Sequence, residues 1–405
     1  MPVRDHRGAK SAPLRRKFRT WCPQRSGETQ LSRTVITGTG LFTPRDSVTN
    51  EELVASLTKA NERWNAENHD AIERGDVLER DMPSERFIEK ASGVGHRYVM
   101  DKAGVLDPDR LHPRLPVRSE EELSIQAEIC VAAAEEALAQ AGRTGADVDA
   151  IIVGCSNIQR AYPAIAIEVQ NALGAGGYAY DMNVACSTAT FAMQNAVDAI
   201  RSGSAKCVLV INPEITSGHN NFELREYHFI FGDACTATLL EAEGNATGSD
   251  TWEVLGTRLV TKFSNNIRND AGFLNRSEDG EREPHELVFR QNGRRVFKEV
   301  CPMVAEHIRN HLGELDIPIE SVKRMWLHQA NLGMNKLIAK TLLGREVQPE
   351  EAPVILDEYA NTSSAGSVIA FHKHRDGLGI GDHAVLCSFG AGYSIGSLIL
   401  RKKSA

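Results

Sequence analysis

Residues 180 to 211 read YDMNVACSTATFAMQNAVDAIRSGSAKCVLVI, and residues 359 to 389 repeat their outline as YANTSSAGSVIAFHKHRDGLGIGDHAVLCSF. Each copy opens with a turn, continues as a helix of small and apolar residues, and passes through a Gly-containing loop into an apolar run typical of a buried strand. Cys186 and Asn361 occupy equivalent positions, as do Val208 and Val385. Such units also recur by chance in α/β proteins, but two copies with matched ends predict a chain of two similar halves.

The position of Cys186 predicts a chemical role. A two-fold axis between duplicated halves brings the starts of the two equivalent helices together, so that Cys186 and Asn361 would face one cavity. A thiol at a helix start lies at the positive end of the helix dipole, beside unpaired backbone N–H groups, which lowers its pKa from about 8.5 towards neutrality. We therefore predict that Cys186 is a nucleophile with a lowered pKa.

The composition is typical of a globular α/β protein. The chain has 405 residues and is 41% hydrophobic, which is enough to bury a large core. Strand-like runs such as DAIIVGCS and HAVLCSF alternate with helical stretches such as AAAEEALAQAG. No apolar run approaches the roughly 18 residues that a membrane span needs. The net charge of −8 argues against nucleic acid as a partner.

The first 32 residues differ from the rest of the chain. Residues 1–30 hold eight Lys or Arg and two acidic residues, without the apolar segment of a secretion signal. We predict a basic, disordered tail over residues 1–32, with a transit peptide or a later start near Leu31 as alternatives. The eight cysteines are scattered without CxxC pairs, a pattern typical of a reducing compartment, so we predict a cytoplasmic protein.

A third motif is MWLHQANLGMNK, where a strand-like run ends at His328 and a helix begins near Asn331. Ligands in α/β folds bind at the C-terminal ends of strands. Together with VACSTATF, FGDACTATLLE, ANTSSAGS and SFGAGYSIGSLILR, this motif resembles the β-ketoacyl-ACP synthase III family of the thiolase superfamily, from about residue 35 to 401. The resemblance implies a homodimer with a five-layered αβαβα sandwich fold, built from two duplicated halves over residues 33–243 and 244–405.

The resemblance also implies a reaction. The thiolate of Cys186 attacks an acyl-CoA thioester and keeps the acyl group, while the backbone N–H groups of Cys186 and Ala391 hold the oxyanion. Malonyl-ACP, carried on acyl carrier protein (ACP), then loses CO2, and a neutral His328 and Asn361 hold the enolate oxygen before its carbon attacks the acyl-Cys. The product is a β-ketoacyl-ACP of fatty acid or related biosynthesis. No metal and no nucleotide cofactor is implied.

Substrate-binding positions also follow from the resemblance. It implies CoA binding by Phe87, Lys90 and Arg225, ACP docking by Lys298 and Lys340, and an acyl tunnel limited by Tyr162, which would reach across the dimer. Phe87 and Lys90 replace the Trp and Arg that the family usually places against the CoA adenine, and Lys90 lacks the bidentate fork of an Arg. The Arg that the family often places after HQAN is Gly333 here.

Two segments and one histidine pair complete the predictions. Residues 58–82 and 100–117 exceed the shorter family members, and we predict that they reshape the substrate mouth. The second segment looks like that of a longer branch that accepts medium-chain acyl-CoA primers, octanoyl among them. His307 and His311 share one helix face, as metal ligands can, but lack a third ligand. We predict a solvated helix end there and no metal site.

Other functions remain open at this stage. Papain-like cysteine hydrolases also use Cys, His and Asn in this order, with the His as the base for the thiol. Within the superfamily, the alternatives are a head-to-head acyl-CoA condensing enzyme, an HMG-CoA-synthase-like enzyme with a catalytic Glu, and a non-catalytic paralogue. A stable acyl-Cys that waits for malonyl-ACP distinguishes a condensing enzyme from a hydrolase.

Overall fold

A nine-stranded mixed sheet runs through the protein in the computed structural model, which describes residues 32 to 404. The tail predicted over residues 1–32 lies outside the described residues, apart from Ser32. The strands are β1 (Thr34–Phe42), β2 (Asp46–Thr49), β3 (His96–Val99), β4 (Ala150–Gly154), β5 (Tyr178–Met182), β6 (Cys207–Glu214), β7 (Ala234–Ala242), β8 (Trp252–Ser264), β9 (Ile267–Arg268), β10 (Arg290–Gln291), β11 (Val322–Leu327), β12 (His383–Gly390) and β13 (Gly392–Lys402). The helices are α1 (Asn50–Glu67), α2 (His69–Glu73), α3 (Glu85–Ser92), α4 (Lys102–Leu106), α5 (Ile125–Ala141), α6 (Ile165–Leu173), α7 (Thr188–Ser202), α8 (Gly293–Glu314), α9 (Leu332–Leu343), α10 (Leu356–Tyr359) and α11 (Ala365–Lys373).

Two half-sheets of similar topology meet within this sheet, whose strand order is β11-β12-β13-β8-β1-β7-β6-β4-β5. In the first half, β1, β7 and β6 are antiparallel neighbours, and β4 lies parallel to β6. In the second half, β8, β13 and β12 are antiparallel neighbours, and β11 lies parallel to β12. The halves join where β1 pairs with β8 through two residue pairs. The repeat read from the sequence is therefore also a repeat of topology, in which the edge strand β5 has no counterpart.

Helices cover and separate the two half-sheets. An apolar cluster joins α5 and α6 to the first half, and another joins α8 and α9 to the second half. A third cluster places α7 and α11 in contact with both halves. Each half-sheet is thus buried on two faces, which is how layered α/β folds satisfy strands that are apolar throughout. The five-layered αβαβα prediction is confirmed.

The two central helices are made of small residues because they pack closely against the sheet. A Cβ atom at Gly396 of β13 would lie 2.3 Å from Thr190 Oγ1 of α7, so only a glycine lets this helix and strand approach as they do. The helix α7 ends at Gly203, whose φ of 78° lies in the left-handed region. The small residues therefore allow the first turn of α7 to lie close to β13 at the centre of the molecule.

The prediction of a solvated helix end at His307 and His311 is wrong. Both imidazoles are buried, and both contact the hydroxyl of Ser397 in β13, at 2.9 Å and 2.7 Å respectively. Burial lowers the pKa of each imidazole to about 4. The pair therefore belongs to the interface between α8 and the sheet. Among residues 32–404, no cluster of three or more potential ligands could hold a metal ion.

None of the helices within residues 32–404 combines the length and the apolar character of a membrane span.

Candidate active site

A turn held by its own side chains presents Cys186 between β5 and α7. Cys186 lies in the 3-10 turn Ala185–Ser187, and Ala185 has a φ of 47°. The N–H of Ala185 donates to Asn183 Oδ1 at 2.8 Å, and the Thr188 hydroxyl both accepts from the N–H of Val184 and donates to the carbonyl of Ala185. These bonds hold Ala185 at a positive φ, a backbone conformation that is unfavourable for residues other than glycine. The turn therefore fixes the direction of the thiol.

The second copy of the repeat presents Asn361 in a similar way. The preceding residue, Ala360, has a φ of 55°, and it occupies the position equivalent to Ala185. The N–H of Ser363 donates to Asn361 Oδ1 at 2.9 Å, and the backbone of Asn361 bridges to Phe231. The carboxamide NH2 group makes no hydrogen bond among the described residues. Asn361 is thus held by its oxygen, and its NH2 group remains as a donor.

His328 lies directly after β11, at the C-terminal end of that strand. Its backbone N–H donates to the carbonyl of Cys387 at 2.8 Å. Its ring packs edge-on against Phe389, with the ring centroids 5.2 Å apart. Burial lowers the pKa of the imidazole to about 4, and Nδ1 has no hydrogen-bond partner among the described residues. At neutral pH the ring is therefore uncharged, with one N–H to donate and one nitrogen to accept.

These three side chains line one cavity of about 130 Å³. The cavity walls are mostly apolar and aromatic, and they come from α8, α9 and the chain around Phe229 and Phe389. No acidic side chain of the described chain belongs to the lining. A cavity with mostly apolar walls, one thiol and several uncharged polar groups suits a thioester carbonyl and a short-lived enolate, since both need hydrogen bonds more than a counter-ion.

The predicted lowering of the Cys186 pKa is wrong. Burial raises the pKa of the thiol to about 11, although the Ser363 hydroxyl and the backbone N–H groups of Ala391 and Cys186 are directed at the sulfur and act in the opposite direction. The expected dipole effect left out the cost of desolvation, and Cys186, although only half-buried as a whole residue, lines a cavity with mostly apolar walls. The resting thiol is therefore protonated at neutral pH. The two backbone N–H groups at the sulfur are the same pair that the sequence predicted as an oxyanion hole.

The sequence of the chain is similar to that of known proteins. The family model of 3-oxoacyl-ACP synthase III matches residues 180–262, and the model of its C-terminal part matches residues 312–402. A β-ketodecanoyl-ACP synthase of Pseudomonas aeruginosa is 58% identical over 340 residues, which cover 84% of this chain and 97% of that protein. The chain belongs to the 3-oxoacyl-ACP synthase III family. It is therefore an acyltransferase-type condensing enzyme of fatty acid biosynthesis.

More distant members of the family agree over nearly the whole chain. The β-ketoacyl-ACP synthase III of Acidiphilium cryptum is 29% identical over 374 residues, which cover 92% of this chain and 100% of that protein. The crystal structure of the 3-oxoacyl-ACP synthase III from Aquifex aeolicus superposes with a TM-score of 0.70 at 26% identity, covering 91% of this chain and 99% of that one.

Two of the three predicted CoA residues lie together. The Arg225 guanidinium carbon is 4.2 Å from the ring centroid of Phe87, and the Phe87 ring packs edge-on against Phe229 in the cavity wall. The segment 58–82 reaches this place, because Asp81 pairs with Arg225 at 3.5 Å. Phe87 and Arg225 thus form a planar, cationic surface outside the cavity, of a kind that suits a nucleotide base.

Lys90 lies apart from that surface, in a groove that adjoins the cavity. The groove shares Asn331 and Phe297 with the cavity lining, and its other charged residues are Arg294, Lys336 and one acidic residue, Glu89. None of the three cations forms an ion pair within residues 32–404. We call this groove the cationic rim. Sequence reasoning did not single out Arg294 and Lys336, although each lies four residues before a predicted position, Lys298 and Lys340 respectively.

The remaining predicted residues lie outside the cavity. Lys298 and Lys340 are exposed on α8 and α9, and Lys340 pairs with Glu346. Tyr162 is 85% exposed and does not line the cavity of its own chain. The segment 100–117 ends at a second groove, beside Ile158 and Ile215, that shares no lining residue with the cavity. The two inserted segments therefore lead to different surfaces.

Gly390 is a further site residue that the sequence reasoning missed. A Cβ atom built on Gly390 would lie 2.5 Å from Cys186 Cβ and 3.1 Å from its sulfur. The backbone of β12 therefore packs directly against Cys186, and this contact is possible only without a side chain. The signal was present in SFGAG, where Gly390 directly precedes the predicted oxyanion residue Ala391.

Proposed function

We propose that the enzyme joins an acyl-CoA primer to malonyl-ACP in two stages through an acyl-Cys186 intermediate. The observation that carries this proposal is the single cavity shared by Cys186, His328 and Asn361. The thiol supplies the nucleophile, and the two uncharged side chains supply hydrogen-bond donors for a second carbonyl compound. A hydrolase needs only the first of these functions, whereas a condensing enzyme needs both.

In the first stage, the Cys186 sulfur attacks the thioester carbon of the primer. The new carbon–sulfur bond gives a tetrahedral intermediate, which collapses as its bond to the CoA sulfur breaks, and the CoA thiolate leaves and takes up the proton that the Cys186 thiol has lost. The N–H groups of Cys186 and Ala391 stabilise the negative oxygen of the tetrahedral intermediate, a type of contact whose loss costs about 10²–10³ in rate. Because burial raises the pKa of the thiol to about 11, deprotonation of Cys186 is part of the cost of this stage.

In the second stage, malonyl-ACP enters the same cavity and loses CO2. The electrons of the broken carbon–carbon bond pass to the thioester oxygen, where the neutral His328 ring and the Asn361 NH2 group donate hydrogen bonds to the enolate. The enolate carbon then attacks the acyl carbon, and Cys186 leaves as a thiolate and takes up a proton. Neutral donors suit this step, since a charged imidazolium would protonate the enolate instead.

We propose that the primer is a medium-chain acyl-CoA, with octanoyl as the reference length. The relative that is 58% identical is named a β-ketodecanoyl-ACP synthase. A ten-carbon β-keto product contains the two carbons that malonyl-ACP keeps after decarboxylation, so its primer has eight carbons. Phe87 and Arg225 are proposed to contact the CoA adenine. Lys90 is proposed to contact the substrate from the cationic rim instead.

The ACP partner and the dimer belong to the same proposal. The cationic rim, with Lys298 and Lys340 farther out, suits the acidic surface and phosphate of a carrier protein. The edge strand β5 offers unpaired backbone groups and a Tyr178 side chain that is 41% exposed, and the exposed Tyr162 would meet a second copy there. The seven described cysteines are all free, which supports a cytoplasmic location.

The rival functions fit the site less well. In a papain-like hydrolase the His removes the thiol proton and the Asn orients the His. Here the pKa of His328 is lowered to about 4, and Asn361 Oδ1 accepts from Ser363 and not from the imidazole. An HMG-CoA-synthase-like enzyme needs a Glu in the cavity, and no acidic side chain of residues 32–404 lines it.

Mass spectrometry of the intact protein tests the proposal. The protein is incubated with acyl-CoAs from acetyl to dodecanoyl, and malonyl-ACP is then added. We expect a stable adduct on Cys186, strongest near octanoyl, that disappears with formation of β-ketoacyl-ACP. Release of free acid without malonyl-ACP would instead indicate a hydrolase. A Cys186→Ala variant that still carries the adduct would refute the assignment of the nucleophile.

A further inference from the structure

A fully buried carboxylate, Glu214, lies behind the reaction cavity and takes no part in the proposed chemistry. Glu214 ends β6, is 1% exposed, and is absent from the cavity lining. Burial raises its pKa, while four donors, two N–H groups and two hydroxyls, point at its oxygens. A carboxyl group is tolerated inside a protein only when its oxygens are hydrogen-bonded, so the donors to Glu214 indicate which parts of the chain it connects.

The four donors come from the two halves of the repeat. Ser156, after β4 of the first half, donates its N–H at 3.1 Å and its hydroxyl at 2.6 Å. Ser364, at the start of α11 in the second half, donates its N–H at 3.1 Å and its hydroxyl as well. Glu214 is therefore a bridge between two loops that are more than 200 residues apart in the chain.

Each arm of this bridge continues to a reacting side chain. On the first arm, the Ser156 carbonyl accepts from Asn183 Nδ2 at 2.8 Å, and Asn183 Oδ1 accepts from the N–H of Ala185, next to Cys186. On the second arm, Ser364 directly follows Ser363, whose N–H holds the Asn361 side chain. The nucleophile and the carboxamide are thus linked through one carboxylate.

We propose that Glu214 is a positioning residue that fixes the distance between the Cys186 turn and the Asn361 turn. A carbon–carbon bond forms only if the enolate held by one turn reaches the acyl group held by the other. A misplacement of about 1 Å can cost a factor of about 10² in rate. The Coulombic influence of Glu214 on the thiol is a separate effect, and it alone would not involve Ser364. This inference rests on the proposed function.

The two arms make the proposal testable one step at a time. Acylation of Cys186 by octanoyl-CoA is followed by mass spectrometry, and decarboxylation of malonyl-ACP is followed by CO2 release. We expect Ser156→Ala to slow acylation about tenfold with decarboxylation within twofold of wild type, and Ser364→Ala to do the reverse. Glu214→Gln should slow both steps and lower the kcat of condensation about 10²-fold, with KM values within twofold.

Glu241→Gln is the matched control. Glu241 is also fully buried and accepts from Thr37 at 2.6 Å and from Arg143 at 2.9 Å, but it lies on β7 away from the cavity. It should lower the melting temperature and leave both steps at wild-type rates. Two results would overturn the inference: a condensation rate within threefold of wild type for Glu214→Gln, or equal effects of both Ser variants on both steps. If the wild-type protein forms no acyl-Cys, the proposed function itself fails, and if Glu214→Gln does not fold, the Ser variants still decide.

Discussion

Replacing Gly390 by Ala tests how tightly the scaffold holds the nucleophile. The added Cβ would lie 2.5 Å from Cys186 Cβ, whereas ordinary van der Waals contact begins at about 3.4 Å. The backbone of β12 and the Cys186 turn must therefore separate by about 0.9 Å. The φ of Gly390 lies outside the left-handed region, so the substitution adds a steric clash and no backbone strain of its own.

A displacement of this size should act on catalysis more than on folding. A shift of about 1 Å at reacting atoms costs about 10² in rate, and overpacking of a buried site costs about 1–3 kcal/mol of stability. We expect Gly390→Ala to acylate with octanoyl-CoA about 10²-fold more slowly, measured by intact-protein mass spectrometry, while the protein remains folded by circular dichroism.

Gly244→Ala is the control for this experiment, because a Cβ atom there meets nothing within 4 Å. It should match the wild-type rate. If Gly390→Ala were acylated within threefold of the wild-type rate, either the close contact in β12 would be relaxed without loss or the sulfur would not be the nucleophile. Cys186→Ala separates these two explanations, since it removes the adduct only if the sulfur carries it.

Further predictions concern charge and protonation. Iodoacetamide should alkylate Cys186 about tenfold faster per pH unit between pH 7 and 9, because burial raises the thiol pKa to about 11, and a plateau below pH 8 would contradict this. Asn361→Asp should slow CO2 release from malonyl-ACP by about 10²–10³ by placing an acceptor in the position of a donor, and an unchanged rate would refute its role. Arg225→Ala should raise the KM for acyl-CoA about tenfold at constant kcat, and a change confined to kcat would exclude it from binding. For His311, folding lowers the pKa to about 4, so the unfolded state binds more protons as the pH falls from about 6.5 to 4. The free energy of unfolding in urea should therefore decrease over that window, and less so in His311→Gln; equal slopes would contradict the argument.

Local sequence patterns were sufficient to predict an α/β fold, and the resemblance to the family supplied its five layers. The apolar runs of β6 and β12 and the small residues of α7 and α11 carry their signal within ten to fifteen positions, which is the range that periodicity covers. The equivalence of Cys186 and Asn361 added the long-range information, since a repeat implies symmetry. The two-pair junction between β1 and β8 had no local signal, because it depends on how the half-sheets meet.

The features that the sequence did not predict are properties of tertiary contact. The pKa of Cys186 depends on how completely the sulfur is enclosed, and helix position alone gave the wrong direction. The spacing of His307 and His311 places them on one face of a helix but does not show whether that face is exposed. Both imidazoles contact the hydroxyl of Ser397, which is at least 86 residues away in the chain, so that face is buried. Glu214 has no motif at all, because its partners are supplied by loops 58 and 150 residues distant.

The repeat explains how one backbone geometry serves two chemical roles. Ala185 and Ala360 both have a positive φ, 47° and 55°, directly before Cys186 and Asn361. Such residues cost about 1–3 kcal/mol each and persist only where neighbouring bonds enforce them. In each half, the strained turn is held by side-chain hydrogen bonds and directs the next side chain into the cavity. In the proposed reaction the thiol at this position is the nucleophile and the carboxamide is the donor, so the two equivalent turns divide the reaction between them.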